Sequence, residues 1–116
     1  ARLCQLRALQ AHVNGTGLFL CLENLGSVPE THTAEKLLGI MDSCGGENLG
    51  ICLDTGHLHL VNGRGEASQS QREFILAAGR HLKALHITEN NGKNGVHQMP
   101  YSASRDPFYE AINRAF

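Results

Sequence analysis

The 116-residue chain has no apolar run near the roughly 20 residues that a membrane-crossing helix needs, and no charged-then-apolar signal segment leads it. A soluble protein of the cytoplasm, with no membrane partner, is expected, although a longer chain would carry any targeting signal upstream of Ala1. It also has no block of like charge. Ten Lys and Arg against eleven Asp and Glu, scattered along the sequence, give a formal charge of −1. A nucleic-acid surface would show a basic patch or stripe, so nucleic acid is not expected as a partner. No Cys-x-x-Cys pair occurs among Cys4, Cys21, Cys44 and Cys52. Cys21 and Cys52 fall inside apolar runs where small thiols commonly pack as core, so reduced cysteines without chemistry are expected.

What is present is ordinary in bulk and unusual in spacing. With 41% hydrophobic and 18% charged residues the chain has room for one globular domain. Three apolar runs each end on a residue able to ligate a metal. Leu18-Phe19-Leu20-Cys21-Leu22 ends on Glu23, Leu49-Gly50-Ile51-Cys52-Leu53 on Asp54, and Leu82-Lys83-Ala84-Leu85 on His86. The intervals, 31 and 32 residues, each accommodate one strand and one helix. A (β/α)8 barrel of about 250 residues divides into units of that size and places its chemistry at the C-terminal ends of its strands.

The fold class expected is therefore α/β, a partial TIM (β/α)8 barrel, roughly the second half without its last strand. Residues 1–116 form a single fragment of about three βα units with flanking helices. The first residue is Ala1 rather than Met, inside a segment that reads as a helix from Arg2 to Val13, which favours a fragment. The alternative is a half-barrel whose terminal strands pair with another chain, a homo-oligomer formed through exposed strand edges.

Leu3, Leu6, Leu9 and Val13 recur at helical spacing before the stop at Asn14-Gly15. Thr33 can cap a helix, with Lys36 opposite and an apolar face of Ala34, Leu37, Leu38 and Met41 that ends at Cys44-Gly45-Gly46. After Asp54, Gly56 is expected to permit a tight turn that returns His57 toward the same end of the sheet, with His59, Leu60 and Val61 in a segment of uncertain form. Asn62-Gly63-Arg64-Gly65 breaks the chain, and Gln71 to Gly79 shows Phe74, Ile75 and Ala78 at helical spacing. A long polar loop, Thr88 to Asp106, precedes a helix start at Asp106-Pro107, with Phe108, Ile112 and Phe116 on one face.

Two carboxylates and an imidazole converging from separate strands suit one divalent metal, Mn²⁺, Co²⁺, Mg²⁺ or Zn²⁺, without any thiolate. Each alone has a plainer reading: Glu23 a solvated loop carboxylate, Asp54 a helix cap, His86 a packed histidine. The joint spacing favours the metal. His12, His32, His59 and His81 have no ligand spacing and read as surface or structural.

Leu22-Glu23-Asn24, the Leu53-Asp54-Thr55-Gly56-His57 block, Leu85-His86-Ile87 with Glu89-Asn90-Asn91-Gly92, and His97-Gln98-Met99-Pro100 resemble the xylose-isomerase-like barrels. That superfamily groups sugar-phosphate isomerases and epimerases with the endonuclease IV type of abasic-site nuclease. The resemblance spans about Gly17 to Pro100. It implies that Glu23, Asp54 and His86 are three of four ligands of a single divalent metal, the fourth being a last-strand glutamate. It also implies that Glu23 acts as a catalytic acid/base and that His57 contacts a substrate oxygen or, in the nucleases, a second zinc. His97 and Glu89 are candidate substrate-binding residues, each equally readable as a solvated loop residue. Where the metal-rich members carry an Asp two positions before the His of the His-x-x-Pro segment, this chain has Gly95, a departure that argues against the nuclease.

The function expected is thus a metal-dependent isomerase or epimerase of a small sugar, sugar phosphate or polyol, moving a proton through an enediolate. The abasic-site endonuclease and a non-catalytic, self-associating half-barrel are the alternatives.

Overall fold

The structure, a computed structural model, describes residues 2–45, 47–95 and 97–98. The expected helix start at Asp106-Pro107, with Phe108, Ile112 and Phe116, lies outside these residues, as do Met99 and Pro100. In chain order the elements are α1 (Arg2–Val13), β1 (Leu20–Glu23), α2 (Ala34–Cys44), β2 (Leu49–Asp54), α3 (Thr55–Gly63), α4 (Gln71–Ala78) and β3 (Leu82–His86). Single 3-10 turns at Pro29–Thr31 and Gly79–His81 lead into α2 and β3.

The three strands form one parallel sheet in the order β1-β2-β3. Parallel neighbours need a crossover, and α2 supplies it between β1 and β2 while α3 and α4 supply it between β2 and β3. The same α/β arrangement recurs around a (β/α)8 barrel, so the sheet and four helices constitute a partial TIM barrel. Among the described residues, β1 and β3 each lack a strand on their outer side.

Local signals account for the helices. Thr33 caps α2 by accepting a hydrogen bond from the Lys36 N–H at 3.4 Å, as its position suggested. Ser70 and Glu73 close a reciprocal capping box at the start of α4. The hydrogen bonds that the Glu73 carboxylate accepts from the Ser70 N–H and from the Ser70 hydroxyl hold it below the usual carboxylate range.

Every residue of β2 is buried, as a strand flanked on both sides should be. Ile51 and Leu53 point into an apolar layer with Leu37, Met41, Leu58, Val61, Phe74 and Ala78. Among the described side chains, α1 joins that layer through Leu6, and Leu3 and Leu9 of its expected apolar face stay exposed. It is tied instead by the Arg7 guanidinium donating to the Ser43 carbonyl and the Asn48 amide donating to the Val13 carbonyl. All four cysteines are free.

One irregularity reshapes the opposite face of the sheet. Ile51 pairs with Leu82 but Cys52 pairs with Ala84, which leaves Lys83 as the extra residue of a bulge. Lys83 crosses β2 at Gly50, where a Cβ would lie 2.6 Å from Lys83 Cγ, and its ammonium reaches 4.9 Å from the centre of the Phe19 ring.

The segment after Asp54 differs from expectation. It is no tight turn: α3 begins directly at Thr55, and Gly56 is not among the glycines of positive φ. His59, Leu60 and Val61 continue this helix, Leu60 and Val61 being buried beneath it. Gly56 is required for closeness rather than for turning, because a Cβ there would overlap Thr88 Oγ1. At the far end of the helix a Cβ on Gly63 would overlap the Gly92 carbonyl oxygen. The loop after β3 thus lies directly against α3.

Candidate metal centre

Strand pairing alone brings the three expected ligands to one place. In register, Glu23 sits opposite Cys52 and Asp54 opposite His86, so the side chains that end β1, β2 and β3 share the edge of one face. His86 Nδ1 is 3.2 Å from Glu23 Oε1 and 4.0 Å from Asp54 Oδ2. His57, one helical turn past Asp54, adds its Nδ1 at 3.5 Å from Glu23 Oε1 and 3.8 Å from Asp54 Oδ2. His57 therefore does return to the strand ends, carried there by α3.

Exposure grades the cluster from floor to rim. The Asp54 side chain is 3% exposed, Glu23 29% and His86 57%, so an incoming molecule meets the imidazole first and the Asp54 carboxylate last. Asp54 divides its two oxygens between tasks. Oδ1 caps α3 by accepting the His57 N–H at 2.9 Å and also accepts the Thr88 hydroxyl at 3.2 Å, while Oδ2 faces the histidines. The helix-cap reading and the ligand reading of Asp54 hold together, one on each oxygen.

Two side chains continue the strand ladders where the backbone stops. The Asn24 amide donates to the Asp54 carbonyl at 2.9 Å, and its oxygen accepts the Asp54 N–H at 2.7 Å. The Thr55 hydroxyl donates to the Thr88 carbonyl at 2.7 Å and accepts the Thr88 N–H at 3.0 Å. Asn24, Asp54 and Thr55 are all buried, where an unpaired backbone group costs about 1–3 kcal/mol. Nothing in the spacing of the sequence singles out Asn24, Thr55 or Thr88; its one signal is that Asn24 and Thr55 stand beside ligand-type residues.

The loop after β3 supplies the remaining candidates. The Asn90 amide donates to the Gly56 carbonyl, and Glu89 and Gln98 pair backbone to backbone as an antiparallel bridge. That bridge folds the loop back and sets the His97 ring 5.6 Å from the His57 ring. Glu89 is half-buried at the base of this loop. Among the histidines given no role, His12 and His59 are exposed, His81 is half-buried, and His32 is buried with no partner for Nε2.

Beneath the carboxylates lie two thiols. Burial, with Glu23, Cys21 and Asp54 nearby, pushes the Cys52 thiol up to about 11. Burial also raises Cys21, against the opposing pull of Lys83. Among the described residues neither thiol is grouped with the clustered donor atoms, so hard and borderline donors are the ones available.

The donor atoms of Glu23, Asp54 and His86 all lie within 4.8 Å of one another, as do those of Asp54, His57 and His97. Bonds of about 2.1 Å to a shared ion space neighbouring donors about 3 to 3.5 Å apart, so small side-chain rotations bring the first group to coordination distance. Two carboxylates and one imidazole at the C-terminal strand edge thus fit a divalent cation.

No curated protein and no solved structure matches the chain. The family described as xylose isomerase-like TIM barrel matches residues 4–113. It includes sugar isomerases and epimerases and endonuclease IV-like enzymes, and its members typically bind divalent metals. With that match across almost the whole chain, and with parallel strands whose C-terminal ends gather its ligand-type residues, the chain belongs to the xylose isomerase-like TIM barrel family.

Proposed function

We propose that this chain is the ligand-bearing part of an isomerase or epimerase acting on a small sugar, sugar phosphate or polyol. The observation that carries the reading is the convergence of Glu23, Asp54 and His86 within 4.8 Å at the strand ends. A divalent cation held there would act as a Lewis acid on a substrate carbonyl and lower the cost of the negative charge that develops as a neighbouring carbon loses its proton.

The chain's own residues carry the rest. Glu23, partly exposed and beside two imidazoles, accepts that proton on one face of the substrate and is half of an acid/base pair, the other half delivering a proton from the opposite face. Asp54, with Oδ1 already committed to the helix cap, would hold that cation through Oδ2. His57 and His97 stand side by side where a substrate hydroxyl would lie, and Glu89 sits on the same loop. The open sides of β1 and β3 are where further strands, or a second copy, would pair.

A second reading, the abasic-site endonuclease, draws on the group of Asp54, His57 and His97, which gives a second ion three donors. Gly95 weighs against it, since a glycine brings no carboxylate to that loop.

Deuterium exchange separates the two. With Mn²⁺ present, the protein carrying this chain should incorporate solvent deuterium beside the carbonyl of a ketose, and Glu23→Gln should abolish the exchange. Metal-dependent nicking of abasic DNA with no carbon-bound exchange in any ketose or ketose phosphate would overturn the isomerase reading.

A further inference from the structure

β1 and β2 pair through their backbones as far as Glu23 and Cys52. One step further along, the backbone ladder gives way to a side chain, because the Asn24 amide takes both the N–H and the carbonyl of Asp54. The assignment of its oxygen and nitrogen follows from the partners, since a backbone N–H only donates and a carbonyl only accepts. This exchange leaves the Asn24 backbone carbonyl unused by the ladder, and it accepts a hydrogen bond from His57 Nδ1 at 2.9 Å. A carbonyl cannot donate, so Nδ1 must carry the hydrogen, and a neutral His57 presents its lone pair at Nε2.

We infer that Asn24 is a positioning residue. Its side chain fixes the backbone that carries Asp54, and its carbonyl fixes the tautomer and orientation of His57, so one buried residue sets both groups relative to the neighbouring Glu23. Asn24 is 1% exposed, which keeps water from competing for any of the three bonds. The metal-affinity consequence rests on the isomerase reading and its cation. The tautomer and the backbone clamp do not, so the two can fail separately.

The experiment uses the complete protein and its Asn24→Asp and Asn24→Ala variants. Asn24→Asp keeps the acceptor for the Asp54 N–H and places an oxygen against the Asp54 carbonyl; Asn24→Ala removes both bonds. In metal-free wild type, ¹⁵N shifts should show His57 protonated at Nδ1 and bare at Nε2, and the Asp54 amide should be strongly protected from exchange. In the variants that protection falls, the His57 tautomers mix, and Mn²⁺ affinity measured by calorimetry drops by about 10- to 100-fold, the usual cost of losing an outer partner of a ligand.

A lower melting temperature with unchanged Mn²⁺ affinity and unchanged His57 tautomer would reduce Asn24 to a structural residue and overturn the inference. So would a wild-type His57 protonated at Nε2 alone, whether or not either variant folds. A wild type that binds no Mn²⁺ but shows the stated tautomer and amide protection would support the clamp while defeating the metal reading.

Discussion

The apolar layer behind β2 is buried and the polar network at its end largely so, yet different forces hold them. Behind the strand, Ile51 and Leu53 meet Leu37, Leu58, Val61 and Phe74 through contacts that have no required direction. At the rim, Asn24, Asp54, Thr55 and Thr88 meet through hydrogen bonds between 2.7 and 3.2 Å, each with a fixed donor and acceptor. The first layer tolerates changes of shape if volume is kept; the second tolerates almost none, because an unpaired group there has no water to turn to. Stability is drawn mainly from the one and ligand geometry from the other.

The largest expected effect falls on the apolar side. Phe74→Ala should cost about 3–5 kcal/mol in urea unfolding, with Mn²⁺ affinity of the folded protein unchanged. A parallel loss of affinity would show that the layers are not separable. Gly56→Ala comes next and is decided by its sign. If Gly56 were an ordinary helical residue, alanine would stabilise α3 by about 1 kcal/mol. Because the added Cβ overlaps Thr88 Oγ1, the variant should instead lose about 1–3 kcal/mol in a thermal melt. A raised melting temperature would contradict the close approach of loop and helix.

The smallest effect lies at the exposed capping box of α4. The hydrogen bonds from Ser70 hold Glu73 below its ordinary value, so its contribution is present above the normal carboxylate pKa and lost as pH falls through the lowered one. Glu73→Gln should therefore lower the melting temperature slightly near pH 7, and the gap to wild type should close in acid, once the carboxylate is protonated in both states. A gap that persists in acid would mean that the charge is not what matters.

Sequence spacing was enough to locate the strand ends, because a strand's C-terminal residue and its neighbours across a parallel sheet follow from the βα repeat. Glu23, Asp54 and His86 meet for that reason, and His57 reaches the same strand ends although α3, not a tight turn, follows Asp54. A glycine after an aspartate suits a tight turn and a close approach equally, and only the position of Thr88 tells them apart. Asn24 and Thr55 stayed hidden for a related reason. Their value lies in replacing backbone partners on another strand, and nothing in the spacing of apolar residues reports where a ladder runs out. The bulge at Lys83 is equally invisible, since Leu-Lys-Ala-Leu reads as an uninterrupted strand.

Whether the strand ends make a metal centre is tested most directly by titrating Mn²⁺ into the metal-free wild type and its Asp54→Asn variant by calorimetry. Asparagine can still cap α3 through its Oδ1, so the fold should survive the change. Saturable Mn²⁺ binding by the wild type, with loss of that binding in Asp54→Asn while circular dichroism stays the same, is the expected result. Equal binding by both proteins would contradict a centre built on Glu23, Asp54 and His86.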